Sequence, residues 1–250
     1  MAGGLDGKVA LVTGAGKNIG RSIALRLARD GAAVAVNGRR DLAAVAAVVA
    51  EIRAAGGQAI AAMADVSDPD AARRAVEQVV AEFGGLDILV SNAGLRRQTP
   101  FLAISVAEWR EIMSVALDGA FFLAQAAVPH MTTRGGGAII AMSGMSHHVG
   151  TPNRCHVSAS KAALEGLMRS LAVELGPQRI RCNCIAPGTI DTVRGASAGV
   201  LPNSLTLDGV PLGRRGTTDE IAAMVRLLAG PEGAYITGQT IHVNGGVFLT

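Results

Sequence analysis

Between residues 143 and 161 the chain gathers side chains that can move protons or hold charge. Ser143 and Ser146 can each donate a hydrogen bond to a developing oxyanion. His147, His148 and His156 are three of the chain's five histidines. Imidazole titrates near neutrality, so any of them can serve as acid or base. Arg154 is a fixed cation able to polarise a carbonyl or bind an acidic substrate, and it shares a helical face with Val157 if the helix has begun by then. Each has a plainer alternative: loop histidines are usually solvated, and Arg154 can simply pair with a neighbour.

A second stretch, Lys8 to Gly20, is built to hold an anion. Val9 to Val12 form the short apolar run of a buried parallel strand. Thr13, Gly14 and Gly16 break it, and Ile19, Ile23 and Leu27 recur at helical spacing. A strand that turns through glycines into a helix presents backbone N–H groups at a positive helix end, which suits a pyrophosphate. The spacing departs from the common Gly-x-Gly-x-x-Gly fingerprint, because Ile19 occupies the place of its last glycine and Gly20 follows one residue later.

The elements that must position these residues alternate throughout. Strands are expected near 8–13, 32–37, 58–64, 86–91, 136–143, 179–185 and 240–244. Helices are expected over 19–30, 41–55, 69–83, 105–131, 154–175 and 217–229. That order predicts an α/β, doubly wound parallel sheet of about seven strands in a single domain spanning 1–250, with ligands outside the carboxyl ends of the strands.

Composition narrows the field. A chain of 250 residues supports one α/β domain with ample core. Hydrophobic content of 49% against 17% charged residues indicates a globular, slightly apolar protein that can self-associate. The net charge of +3 is small, and 3% aromatic residues offer no stacking platform, so a nucleic-acid partner is not expected. No apolar run of membrane length and no signal-peptide pattern stand out, so no membrane partner is expected and the cytoplasm is the default location. Cys182 and Cys184 alternate on an apolar strand and look like small core residues; no metal site is expected.

The Thr13-Gly14 turn, with its Thr-Gly-x-x-x-Gly-x-Gly pattern, resembles the short-chain dehydrogenase/reductase family, and in particular its 3-oxoacyl-carrier-protein-reductase-like members. Asn18 stands at the family's middle glycine, a place a small polar residue tolerant of unusual backbone angles can take. Ser91-Asn92-Ala93-Gly94 resembles the family's Asn-Asn-Ala-Gly, and Pro187-Gly188-Thr189-Ile190 its Pro-Gly segment beside the nicotinamide. The likeness runs on to Val243-Asn244-Gly245-Gly246.

The resemblance implies a Rossmann domain with a mobile substrate lid near 191–213. It also implies a nucleotide site drawn from Gly14, Gly16, Lys17, Asn18, Ile19, Asp65, Val66, Asn92, Ala93, Gly94, Val115, Met142, Lys161, Pro187, Gly188, Thr189, Ile190 and Thr192. Asn37-Gly38-Arg39-Arg40 follows the second strand where an NAD enzyme usually carries an acid for the ribose 2′-hydroxyl. Asn37 there, followed by Arg39 and Arg40 able to grip a 2′-phosphate, favours NADP(H). A solvated basic helix start is the plainer alternative.

The catalytic pattern is broken. In the family a Tyr four residues before a Lys transfers the proton, a Ser about thirteen residues upstream binds the reacting oxygen, and an Asn on the preceding long helix anchors a water relay. Lys161 is in place, but the Tyr position is Val157, the Ser position Gly144 and the Asn position Ala116. The only tyrosine, Tyr235, is distant in sequence. Three readings stay open. The first is an NADP(H)-dependent oxidoreductase on a small carbonyl or alcohol, with a replaced proton donor drawn from His156, Arg154 or a bound water. The second is a non-redox isomerase or lyase on the same scaffold. The third is a catalytically silent subunit pairing with an active relative. A homo-oligomer, dimer or tetramer, is expected through the two long helices, and Arg194 with Arg154 hints at an acidic substrate.

Overall fold

The computed structural model describes residues 4–193 and 209–249. Seven parallel strands form one sheet in the order β3-β2-β1-β4-β5-β6-β7. They are β1 (Val9–Val12), β2 (Ala33–Gly38), β3 (Ala59–Met63), β4 (Ile88–Ser91), β5 (Gly137–Met142), β6 (Ile180–Pro187) and β7 (Thr240–Val243). The order reverses between β1 and β4, which pair directly, with Leu11 beside Leu89. Loops leaving those two strands in opposite directions open a crevice at their carboxyl ends.

Alternation along the strands divides the core. Val9 and Leu11 face one apolar layer with Leu89, Ile139, Cys182 and Cys184. Ala10 and Val12 face the other with Val34, Val90 and Ile140. Helices α3 (Pro69–Phe83), α5 (Gly119–Thr133) and α7 (Cys155–Leu175) cover the first face. Helices α1 (Asn18–Arg29), α2 (Leu42–Ala54) and α8 (Thr218–Ala229) cover the second. Both cysteines are fully buried, as small core residues.

Local chemistry fixes the helix starts. Asp41 accepts from the Ala44 N–H and Asp68 from the Ala71 N–H, while Thr217 and Glu220 form a reciprocal capping box. α3 stops at Gly84, whose φ of +78° is the left-handed conformation glycine adopts freely.

The helix expected over 105–131 is instead α4 (Val106–Met113), a π turn over Ser114–Asp118, and α5. This continuous run, Val106–Thr133, is long and apolar enough to cross a membrane by length and composition, which the sequence reading had not found. Its Ile112, Leu123, Ala127 and Met131 lie in the core, and their burial accounts for the apolar character of that face. A short helix not foreseen, α6 (Ser146–Val149), follows β5. Most of the expected lid, residues 194–208 and with them Arg194, lies outside the described residues.

Candidate active site

Thr13 and Asn92 tie the crevice together where β1 and β4 end. The Thr13 hydroxyl accepts from the Asn92 and Ala93 N–H groups at 2.9 and 3.0 Å, and Asn92 Nδ2 donates to the Thr13 and Gly14 carbonyls. The glycine turn leans on this knot. Gly14 has φ +59°, and a Cβ on Gly20 would fall 2.4 Å from the Gly14 carbonyl oxygen and 2.6 Å from Asn92 Nδ2. Gly20 therefore does the close-approach work that the usual fingerprint gives to the residue before it. Asn18 takes φ +51°, the conformation expected for a glycine stand-in. Its side chain also bridges outward: Nδ2 donates to the Val193 carbonyl and Oδ1 accepts from the Val193 N–H, both at 3.0 Å.

α1 begins without a side-chain cap, because Lys17 at its N-cap accepts nothing. Its first N–H groups are left facing the crevice, the arrangement that receives an anion.

Asn37 at the end of β2 is buried. Its Nδ2 donates to the Ala62 and Ala64 carbonyls, and its Oδ1 accepts from the Gly14 N–H at 3.4 Å. The amide thus braces the glycine turn against β3. Arg39 lies 3.6 Å from Asp65 in a pair more than a third exposed, close enough to orient but weakly held. Burial pushes the Asp65 carboxyl up, but bonds from the Ser67 hydroxyl and N–H, with the Arg39 and Arg40 charges, outweigh it and leave the pKa lowered.

A cavity of about 520 Å³ opens from the glycine turn across the ends of β4, β5 and β6. Gly14, Lys17, Asn18, Ile19, Asn92, Ala93, Gly94, Met142, Ser143, Ser146, Arg154, Lys161, Pro187, Gly188, Thr189, Ile190 and Thr192 line it, all singled out from the sequence. Gly16, Asn37, Gly38, Arg39, Arg40, Asp65, Val66 and Val115 stand outside its lining. Leu95, Arg96, Met145 and Arg215 line it without having been expected, and Val193 falls within the expected lid. Arg96 lies two residues after the Asn-Ala-Gly motif; Arg215 enters from distant sequence. A larger hollow of about 710 Å³ lies at the opposite end, among Lys8, Ala33 and Gln58. Ligands of such sheets bind at the carboxyl ends, and the motifs meet only there.

At the cavity floor, Val157 and Lys161 share a face of α7. Lys161 Nζ donates to the Met142 carbonyl at 2.5 Å, and burial, helped by the Arg96 charge, lowers its pKa to about 8. A Cβ on Gly144 would meet open space. Ala116, at the expected Asn position, sits buried in the π turn over Ser114–Asp118.

The sequence candidates for acid and base separate. His156 is fully buried with Nε2 3.0 Å from Glu108 Oε1, away from the cavity lining. Thr99 and His156 hold the Glu108 carboxyl below its usual range. Ser143 lines the cavity, but its hydroxyl donates to Glu165 Oε1 at 2.7 Å. His147 and His148 bring their Nε2 atoms to 3.1 and 3.2 Å of the same oxygen. Burial raises the Glu165 pKa, but the His147 imidazole and Ser143 hydroxyl outweigh it, leaving a pKa of about 2. Arg154 is buried at the N-cap of α7 and faces the cavity, as does Ser146 at the start of α6.

Comparison with known proteins agrees with this geometry. The family model described as enoyl-(acyl carrier protein) reductase matches residues 14–248. A 3-oxoacyl-(acyl-carrier-protein) reductase of Staphylococcus aureus is 42% identical over 244 residues, covering 97% of this chain and 98% of that protein. A short-chain dehydrogenase of Burkholderia cenocepacia, solved in complex with NADP, superposes with a TM-score of 0.89 at 37% identity, covering 98% of this chain and 99% of its own. A Sinorhizobium meliloti structure described as a putative short-chain alcohol dehydrogenase gives a TM-score of 0.93 at 39% identity over 99% of this chain and 98% of that one. With the glycine turn, the Asn-Ala-Gly knot and the α7 lysine assembled at one crevice, and full-length relatives at this identity, the chain belongs to the short-chain dehydrogenase/reductase family.

Proposed function

We propose that this chain is an NADP(H)-dependent oxidoreductase acting on a small carbonyl or alcohol, with proton transfer carried by Lys161 in place of a tyrosine. The cavity residues fit such a cofactor. Gly20 lets the glycine turn close on Asn92 where any Cβ would clash, the uncapped start of α1 offers N–H groups to a pyrophosphate, and Arg39 and Arg40, outside the cavity lining, follow β2 where a 2′-phosphate would be gripped. The Burkholderia relative binds NADP by its own description. When bound, NADPH supplies the hydride that reduces a carbonyl.

What remains for the chain is the proton. Val157 has none to give, the Ser143 hydrogen is committed to Glu165, and His156 faces Glu108. Lys161 carries the reading: its Nζ lines the same cavity, has three hydrogens with one bound by Met142, and holds its proton with a pKa of about 8. An acid of that strength can pass a proton to a new alkoxide near neutral pH. Arg154 and Arg96 at the cavity wall would orient an acidic or carbonyl-bearing substrate. The relatives named as 3-oxoacyl reductases make a 3-oxoacyl thioester the first substrate to try.

One observation favours a second reading. With Ser143 turned to Glu165 and Val157 at the floor, no hydroxyl acid replaces the tyrosine, which suits a silent nucleotide-binding subunit paired with an active relative. NADPH deuterated at its transferable position, incubated with the purified protein and 3-oxoacyl thioesters or a metabolite extract, separates the two. Deuterium arriving in a product supports the oxidoreductase. NADPH binding with no label transferred overturns it, in favour of the silent subunit where no metabolite changes and of a non-redox enzyme where one changes without gaining label.

A further inference from the structure

Behind the cavity floor, away from its lining, α6 and α7 bring together a set of donors that neither the fold nor the proposed reaction uses. His147 and His148 are neighbours in sequence, and adjacent residues on a helix point about 100° apart. Here their ring centroids lie only 3.9 Å apart, and both Nε2 atoms converge on Glu165 Oε1. One donor atom from each of the three residues lies within 4.8 Å of the others. As a hydrogen-bond cluster this is poorly resolved. His147 has a side chain 9% exposed, and neither of its ring nitrogens has an aligned hydrogen-bond partner among the described residues, although Nε2 stands 3.1 Å from the carboxylate. Two imidazoles thus compete for one oxygen that already accepts the Ser143 hydrogen.

We propose that His147, His148 and Glu165 hold one divalent transition-metal ion of the zinc class. The spacing suits it. Zinc bonds imidazole nitrogen and carboxylate oxygen at about 2.0–2.2 Å, so ligands at adjacent corners of its tetrahedron stand about 3.3 Å apart. The observed nitrogen-to-oxygen separations are 3.1 and 3.2 Å. Two imidazoles and one carboxylate select zinc, nickel or copper over magnesium or calcium, which prefer oxygen throughout. Ser143 becomes the hydrogen-bonding partner that orients the ligating carboxylate. Water completes the fourth position.

On the outer side, His148 packs against Phe248 with centroids 4.8 Å apart and against His242 at 4.7 Å. These rings from β7 and the segment after it shield the site. The ion would clamp α6 to α7 and so fix Met145 and Ser146, which line the cavity two residues and one residue before His147. It is a structural site that stiffens the pocket wall, independent of which reaction the pocket performs.

The test uses full-length protein stripped with EDTA and titrated with zinc sulfate against a chromophoric zinc chelator. One equivalent should bind per chain, with a rise in melting temperature, and cobalt(II) should give the visible bands of a low-coordinate site. His147→Ala and His148→Ala should each weaken binding by about 100-fold. Folding of every variant is checked by circular dichroism. His147→Gln and His148→Gln, which keep size and polarity, replace any alanine variant that fails to fold. Cys155→Ser guards against binding at the exposed thiol. Zinc uptake well below one equivalent, or uptake unchanged when both histidines are replaced, overturns the proposal.

Discussion

Lys161 is the residue on which the proposed reduction turns. Its ammonium is needed protonated to act as an acid, and burial has brought its pKa down to about 8. Reduction should therefore proceed at constant rate below that pH and fall as pH rises through it. Lys161→Arg keeps a cation but one that cannot release its proton, so kcat should drop by about 10²-fold or more while NADPH still binds. A pH–rate profile that stays flat to pH 10 in the parent protein would remove Lys161 from the role. The lost groups suggest the converse experiment. Gly144→Ser meets no steric obstacle, since a Cβ there touches nothing within 4 Å. Combined with Val157→Tyr and Ala116→Asn, it should raise turnover of 3-oxoacyl thioesters by about 10²–10⁴-fold, the usual contribution of a positioned acid. No gain in a folded, NADPH-binding variant would mean the cavity has diverged beyond proton transfer.

At the scale of elements, the turn between β1 and α1 shows how one departure from a motif acquires a second use. Asn18 tolerates the positive φ that a glycine would take, and its amide then grips both polar groups of Val193, 175 residues away. Asn18→Gly keeps the backbone conformation, since glycine adopts a positive φ freely, and removes only the bridge. Thermal stability should change little, whereas NADPH dissociation should quicken several-fold, at about the strength of one or two exposed hydrogen bonds. Stopped-flow release of NADPH measures this directly; an unchanged rate would show that the segment after β6 is not held through Asn18. The π turn over Ser114–Asp118 places Ala116 at the expected Asn position, where the proposed reaction has no use for its side chain.

For the whole molecule, Glu165 links the pocket wall to stability against acid. Its pKa of about 2 lies below the ordinary 4.5 of an unfolded glutamate. Between those values the unfolded chain binds the extra proton, so this stabilisation is present in full above pH 4.5 and is lost as pH falls toward 2. Denaturant titrations across that window should show stability declining, and declining less steeply in Glu165→Gln. An equal slope in both proteins would show that the carboxylate is not held by Ser143 and the histidines.

Much of this was legible in residue order, because local patterns encode local structure. The apolar run from Val9 to Val12 and the glycines after it specify strand, turn and helix through short-range sterics. Strand–helix alternation indicated a doubly wound parallel sheet, whose strand order is set by the pairing of β1 with β4, and the residues at the expected catalytic positions, Val157, Gly144 and Ala116, were visible as letters. What the letters could not carry was direction. His156 falls in the same stretch as the cavity residues, yet the first turn of α7 aims it at Glu108. Ser143 sits beside the vacated position, yet its hydroxyl turns to a carboxylate 22 residues on. Arg215 reaches the cavity from beyond the undescribed segment, and His147 and His148 find Glu165 only because α6 folds back on α7. Side-chain aim and long-range encounter depend on how helices pack across the sheet, and that is settled by the tertiary structure alone.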